Sequence, residues 1–408
     1  MEFSNELITI FFPAWLLILS GILMAFGITY VSIPPIIELA RVKGLYDMPN
    51  GRTSHIHATP YLGGVAVFTG LILSTIVIAS IGFIQDLSYV IAGLIIILFV
   101  GLKDDMLIIN PNKKLAGQLI ASGIIVVMGD IRIDHFHGVL GFEAIPYFAS
   151  IMFTIFVFIV IINGLNLIDG IDGLASGVGI LIAITFGIWF TMADIVSYSV
   201  MSFSLAGSLI AFFYFNVFSK KNKIFLGDAG SLIIGFTTAV ITVQFLENQT
   251  YATDYAIVHS APAVAFGILI VPLYDTLRVF ILRISQGRSP FSADRQHIHH
   301  VLLDLGFSHL RATMILLSSN LFFIILSISL QKIGYMNLII LQLFLATVSS
   351  FLAVWLLKRK RNKVFSRKQP ESKHVELFKS TPADVCFEND KKLSDKTKKM
   401  RFLKILNV

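Results

Sequence analysis

From Tyr147 to Ile162 the chain carries no charged side chain at all. A helix needs roughly 20 apolar residues to cross the hydrocarbon core of a bilayer, and this run comes close to that length. A backbone in lipid must satisfy its own N–H and C=O groups, which a helix does within one segment. Comparable stretches recur along the chain and predict eleven spans: 13–35, 61–84, 88–102, 115–129, 146–162, 174–192, 196–216, 231–246, 260–282, 312–331 and 337–357. The expected fold is therefore an all-α polytopic integral membrane protein. Composition agrees. Only 14% of residues are charged, against roughly 25% in soluble globular chains, and the mean hydropathy is +0.80.

Lysine and arginine bias sets the orientation of such a chain. With the N-terminus outside, 30 of the 32 basic residues fall on the inner side or in the inner tail, leaving Arg132 and Lys332 outside. Residues 1–357 are expected to form the transmembrane domain. Residues 358–408 form a basic cytoplasmic tail with 16 Lys or Arg and 6 Asp or Glu, expected to be largely disordered. The tail reads as a solvated or headgroup-associated extension. Without aromatic interleaving or a folded motif it gives no sign of nucleic acid as a partner. Glu2 and Glu6, with no Lys or Arg before Arg41, are unlike a signal peptide. The lone cysteine, Cys386, rules out an intrachain disulfide. Reporter fusions after Met48, Lys114, Lys221 and Arg295 should all read as cytoplasmic, and an external signal at any of them would break this topology.

Polar groups concentrate in four inner segments: GLKDD at 101–105, NGLNLIDGIDGLASG at 163–177, FLGDAGS at 225–231 and GRSPFSADRQHIHH at 287–300. Each has a plainer explanation. Asp104 and Asp105 close a span and would serve as boundary markers. Asp228 would serve as a loop acid, with Ser231 as the N-cap of the next helix. The glycines around Asp228 also suit an anion, because a turn before a helix N-terminus presents free N–H groups. His297 and His300 have zinc-compatible spacing on a helix, but no cysteine or third ligand accompanies them. His55 and His57 read as loop surface as readily as site.

The second segment resists the plain reading. Asn163, Asn166, Asp169 and Asp172 recur every third residue, so on a helix they fan over half its circumference. Gly164, Gly170 and Gly173 further disfavour a continuous helix, and the chain is expected to unwind there, converging these groups on one cavity. Ionisable groups at that depth are costly and default to function. Amides and carboxylates without sulfur suit a hard cation, Mg²⁺ where phosphates are also bound, with Mn²⁺ as a substitute.

These four motifs, in this order and between these spans, resemble the polyprenyl-phosphate N-acetylhexosamine-1-phosphate transferases. The similarity runs from about Leu45 to about His309. DRQHIHH resembles the bacterial enzymes that initiate O-antigen, enterobacterial common antigen and teichoic acid linkage units. The resemblance implies transfer of GlcNAc-1-phosphate from UDP-GlcNAc to undecaprenyl phosphate with release of UMP. It implies a bacterial cytoplasmic membrane and membrane lipids as surroundings; a homodimer is one assembly open to the chain. It also implies Asn166 and Asp228 as Mg²⁺ ligands, Asp104 and Asp105 at the lipid phosphate with Lys114 nearby, and Asp169, Gly170 and Asp172 at the nucleotide. Asn163 belongs to the same substrate-binding stretch. Arg295, His297, His299 and His300 would hold the sugar and its phosphates.

Two other classes compete. A transporter would show inverted repeats, which the sequence lacks. An intramembrane prenyltransferase would also use Mg²⁺, Asp and a polyprenyl substrate, but NLIDGID has the wrong acidic spacing. A phosphate monoester is nearly a dianion at neutral pH, its second pKa being about 6. Direct attack by the lipid phosphate is therefore expected, with Asp104 or Asp105 removing any residual proton.

Overall fold

The computed structural model describes residues 13–47, 59–79, 84–107, 109–135, 144–251, 256–289 and 296–368. The chain forms two compact units, residues 1–360 and 361–408. Of the second, residues 361–368 are described, as helix. The expected disorder of the tail beyond them lies outside the described residues.

Each of the eleven expected stretches falls on helix. They are α1 (Ala14–Lys43), α2 (Gly63–Ala79), α3 (Ile84–Leu107), α4 (Pro111–Gly123), α5 (Tyr147–Leu167), α6 (Leu174–Met192) and α7 (Val196–Phe213). Then follow α8 (Gly227–Glu247), α9 (Ala261–Ile268), α10 (Ile270–Ser285), the short α11 (Ile298–Asp304), α12 (His309–Ser329) and α13 (Tyr335–Lys368). π-helical turns extend α4 over Ile124–Met128 and α7 over Tyr214–Phe218.

Length and apolarity single out fewer helices than the eleven expected spans. Among the described residues, seven helices qualify, or eight if the α9–α10 pair is one span. The expected single span at 260–282 is broken: α9 and α10 meet at 81°. Pro272, at the third position of α10, has no N–H to donate back to Ile268, which removes a bond that a continuous helix would need there.

α8 is the axis of the larger unit. Of its most apolar 18-residue window, 94% is buried, and it packs against α2, α3, α5 and α6. Its 21 residues give a length of ~30 Å at 1.5 Å per residue, close to the hydrocarbon thickness. Aromatic side chains fill the contacts along it, Phe158 against Phe236 and Phe186 against Phe245. Glycines let backbones touch elsewhere. A Cβ on Gly64 would overlap Gly230, and one on Gly101 would overlap the Cα of Ala229. Small residues at such crossings are how helices approach closely in lipid.

A two-stranded antiparallel pair, β1 (Tyr46–Asp47) and β2 (Thr59–Pro60), precedes α2, with Tyr46 opposite Pro60. Phe225 donates its N–H to Pro60 (2.7 Å), while Gly63 and Gly64 donate to the carbonyls of Phe225 and Leu226 (2.9 and 2.8 Å). These bonds join the starts of α2 and α8. At the far end of α8, Glu247 accepts from the Asp134 N–H at 3.1 Å, near the Asp130–Arg132 pair.

Candidate functional site

α8 starts at Gly227, whose φ of +74° is a conformation that glycine adopts without strain. The turn aims the N–H groups of Asp228 and Ala229 at a carboxylate, but not a ligand's. Asp105 accepts both, at 2.7 and 3.0 Å. A negative charge at a helix N-terminus is favourable, so the anion site expected here is filled from within the chain. Ser231 is not the N-cap. It lies one turn inside α8 and accepts from Asn166 Nδ2 at 2.7 Å.

Asp104, next to Asp105 on α3, faces Lys114 on α4. Lys114 Nζ sits 2.9 Å from Asp104 Oδ2 and 2.6 Å from Asp228 Oδ1. It also donates to Asn166 Oδ1 at 3.4 Å, and Asn166 Nδ2 donates to Asp228 Oδ1 at 2.8 Å. Asp104 is further held by the Ile109 N–H at 3.0 Å. Asp228 is the open member of this group, its side chain 38% exposed against 11% for Asp104 and 15% for Lys114. Asn163 turns elsewhere. It exchanges amide hydrogen bonds with Gln118 of α4 at 2.9 and 3.4 Å, joining two helices.

The expected unwinding occurs, but only after Leu167, so Asn163, Gly164 and Asn166 remain helical. Residues 168–173 form the turn. It ends at Gly173, with φ +77° and its N–H held by Asn216 Oδ1 at 2.6 Å. The carboxylate of Asp169 has no hydrogen-bond partner among the described residues. Burial and the carboxylates of Asp228, Asp105 and Asp172 push its pKa up to about 8. Asp172 behaves oppositely. Burial opposes its ionisation, yet hydrogen bonding to His309 and Lys223 prevails and holds it below the usual carboxylate range. Lys223 Nζ lies 2.6 Å and His309 Nδ1 3.3 Å from Asp172 Oδ2.

The histidine segment closes against this turn. A Cβ on Gly170 would overlap Nε2 of His299. His299 is 2% exposed, and burial, then the neighbouring His300, lowers its pKa to about 3. It is a neutral ring, and among the described residues neither of its nitrogens has a hydrogen-bond partner. His297 precedes α11 instead of lying on it, and its Nδ1 is 3.0 Å from Asp275 Oδ2. Zinc spacing between His297 and His300 therefore gains no support, and no group of three or more His, Cys, Asp or Glu that could hold a metal occurs among the described residues. Arg295, His55 and His57 lie outside the described residues.

One end of the helical bundle thus gathers Asp104, Asp105, Lys114, Asn166, Asp169, Asp172, Asp228 and His299. Sequence reasoning missed Asp275, Lys223, His309 and Asn216. Asp275 had a usable signal, being a carboxylate in the middle of the expected span 260–282. Asp228 and Asn166 are adjacent enough to share a cation once the amide turns its oxygen toward the carboxylate. Mg²⁺ is commonly held by one or two carboxylates plus substrate phosphates, so these residues fit it without a three-ligand protein cage.

Carboxylates and the ammonium groups of Lys114 and Lys223 thus gather at the ends of membrane helices, an arrangement suited to anionic groups bound through cations. Comparison with known proteins makes this specific. The Glycosyl transferase family 4 pattern matches residues 87–246, which include every site residue from Asp104 to Asp228. The chain is 31% identical over 312 residues to decaprenyl-phosphate N-acetylglucosaminephosphotransferase of Mycobacterium tuberculosis, covering 71% of this chain and 76% of that one. Its counterpart in Mycolicibacterium smegmatis is 32% identical over 314 residues, covering 71% and 76%. Undecaprenyl-phosphate alpha-N-acetylglucosaminyl 1-phosphate transferase of Escherichia coli (strain K12) is 27% identical over 282 residues, covering 68% and 74%. The chain belongs to glycosyl transferase family 4, among the polyprenyl-phosphate N-acetylhexosamine-1-phosphate transferases.

Proposed function

We propose that the protein transfers GlcNAc-1-phosphate from UDP-GlcNAc to undecaprenyl phosphate at the cytoplasmic face of the bacterial cytoplasmic membrane, opening the synthesis of a cell-surface polysaccharide. The observation that carries this reading is Lys114 set between Asp104 and Asp228, with Asn166 beside them, at the start of α8. An oxygen of the lipid phosphate forms a bond to the β-phosphorus of UDP-GlcNAc, and the bond from that phosphorus to the bridging oxygen breaks, releasing UMP. Mg²⁺ on Asp228 and Asn166 would neutralise the donor pyrophosphate and relieve repulsion between two anionic phosphates.

The residues then divide the work. Lys114 can turn from Asp104 toward an incoming phosphate, which frees Asp104 to take any residual proton. Asp105, with both oxygens on backbone N–H groups, holds the end of α8 in place instead. The turn at 168–173 and the ring of His299 form the opposite wall, where uridine and sugar are expected. Both substrates must meet where lipid gives way to water, which accounts for carboxylates at the ends of apolar helices.

Protein in detergent, given UDP-GlcNAc, Mg²⁺ and either undecaprenyl or decaprenyl phosphate, should release UMP only when a lipid phosphate is present. A panel of UDP-sugars then ranks the donors, and the two lipids rank the acceptors. Release of pyrophosphate instead would indicate a prenyltransferase, and no product from any pair would leave a transporter.

A further inference from the structure

Asp275 is 5% exposed on α10, within an apolar stretch of the chain. A buried carboxylate is costly unless its oxygens are filled. Here they are filled by two consecutive residues of the histidine segment and by one arginine. Asp275 Oδ1 accepts from Arg278 Nη2 at 3.0 Å and from the Ile298 N–H at 3.1 Å. Its Oδ2 lies 3.0 Å from His297 Nδ1, and the same Arg278 nitrogen reaches the carbonyl of Gln296. The pair Asp275–Arg278 thus grips residues 296, 297 and 298 together.

Anchoring the backbone alone would not need a charge, since an asparagine oxygen also accepts from an N–H, if more weakly. The contact with Nδ1 does more. A carboxylate there requires a proton on Nδ1, which fixes the ring's orientation and leaves Nε2 as the variable nitrogen. The plane so fixed is passed on. His297 and His299 are stacked, with centroids 5.7 Å apart and planes 13° apart. His299 has no hydrogen bond of its own among the described residues, so its ring is set by packing against His297 and His300. Its Nε2 in turn abuts Gly170 of the turn that carries Asp169 and Asp172.

We propose that Asp275 is a positioning residue: through His297 Nδ1 it fixes the tautomer of His297 and, by stacking, the plane of His299, the ring that packs on the turn carrying Asp169 and Asp172. For its kinetic part the proposal rests on the transferase reading above. Asp275→Asn would turn an amide N–H toward Nδ1 and favour the other tautomer. That should lower kcat for UMP release roughly 10- to 100-fold, the scale on which partners of functional histidines act, with KM for the lipid phosphate nearly unchanged. Asp275→Glu should recover part of the loss. In a His297→Gln background the same Asp275→Asn change should cost almost nothing further, because residues that act through one another are not additive. Equal losses in both backgrounds would overturn the proposal.

A second measurement needs neither turnover nor a variant that folds. Nitrogen-15 NMR of the histidine-labelled full-length protein in nanodiscs, with the His297 signal assigned, should show a protonated Nδ1. A ring protonated on Nε2 alone would overturn the proposal. If the wild type releases no UMP from any donor, the transferase reading falls while the tautomer result still decides the role of Asp275.

Discussion

Asp228→Asn should reduce UMP release by roughly 10²- to 10³-fold, the range seen when one electrostatic contact to a reacting group is removed. Asp228 is the member of the Lys114 cluster that opens to solvent, its side chain 38% exposed, so a metal-bound pyrophosphate can reach it. An asparagine keeps the shape and the backbone N–H that Asp105 holds at 2.7 Å. The start of α8 should therefore persist, and the thermal unfolding midpoint should hardly move. What is lost is the charge, and on the proposed reading the dependence of donor binding on Mg²⁺ should go with it. Titration of UDP-GlcNAc with and without Mg²⁺ reads this directly. A variant with near-normal turnover and an unchanged Mg²⁺ requirement would remove Asp228 from the metal site.

Gly101→Ala should be the more disruptive change, although it adds only one methyl group. The new Cβ would meet the Cα and backbone nitrogen of Ala229, which cannot rotate away as a flexible side chain could. α3 must shift from α8, and Asp104 and Asp105 ride on α3. Overpacking of this kind costs about 1–3 kcal/mol, and the loss of activity should exceed what unfolding explains. Gly123→Ala is the control, because nothing lies within 4 Å of the added atom. If both variants melt and turn over alike, the backbone contact does not position the carboxylates.

The helices were legible because lipid demands long apolar runs, and helix covers most of the described residues in each expected run. The 81° bend between α9 and α10 was legible only in hindsight, from Pro272 inside an otherwise uniform stretch. Site residues were legible by type and less so by duty. Asp105 reads as a substrate contact beside Asp104, yet it caps a helix through the N–H of Asp228, 123 residues later in the chain. Spacing cannot reveal a cap supplied from so far away. Asn163 shares the three-residue rhythm of Asn166, but its place on α5 turns it to Gln118. Asp275 was overlooked because its partners, His297 and the Ile298 N–H, come from a segment that only the folded chain brings to α10.

The glycine contacts at the start of α8 divide the site into halves with different freedom to change. Around Asp104, Asp105 and Asp228, backbone rests on backbone at Gly64 and Gly101, so substitution there has no slack to draw on. Across the site, the turn at 168–173 meets the histidine segment where Gly170 faces the imidazole of His299. Gly170 has no room for a side chain, but a ring can turn where backbone cannot. On the proposed reading, the side of the site that adapts to a different sugar donor is therefore the His299 side, while the side at Gly64 and Gly101 stays fixed.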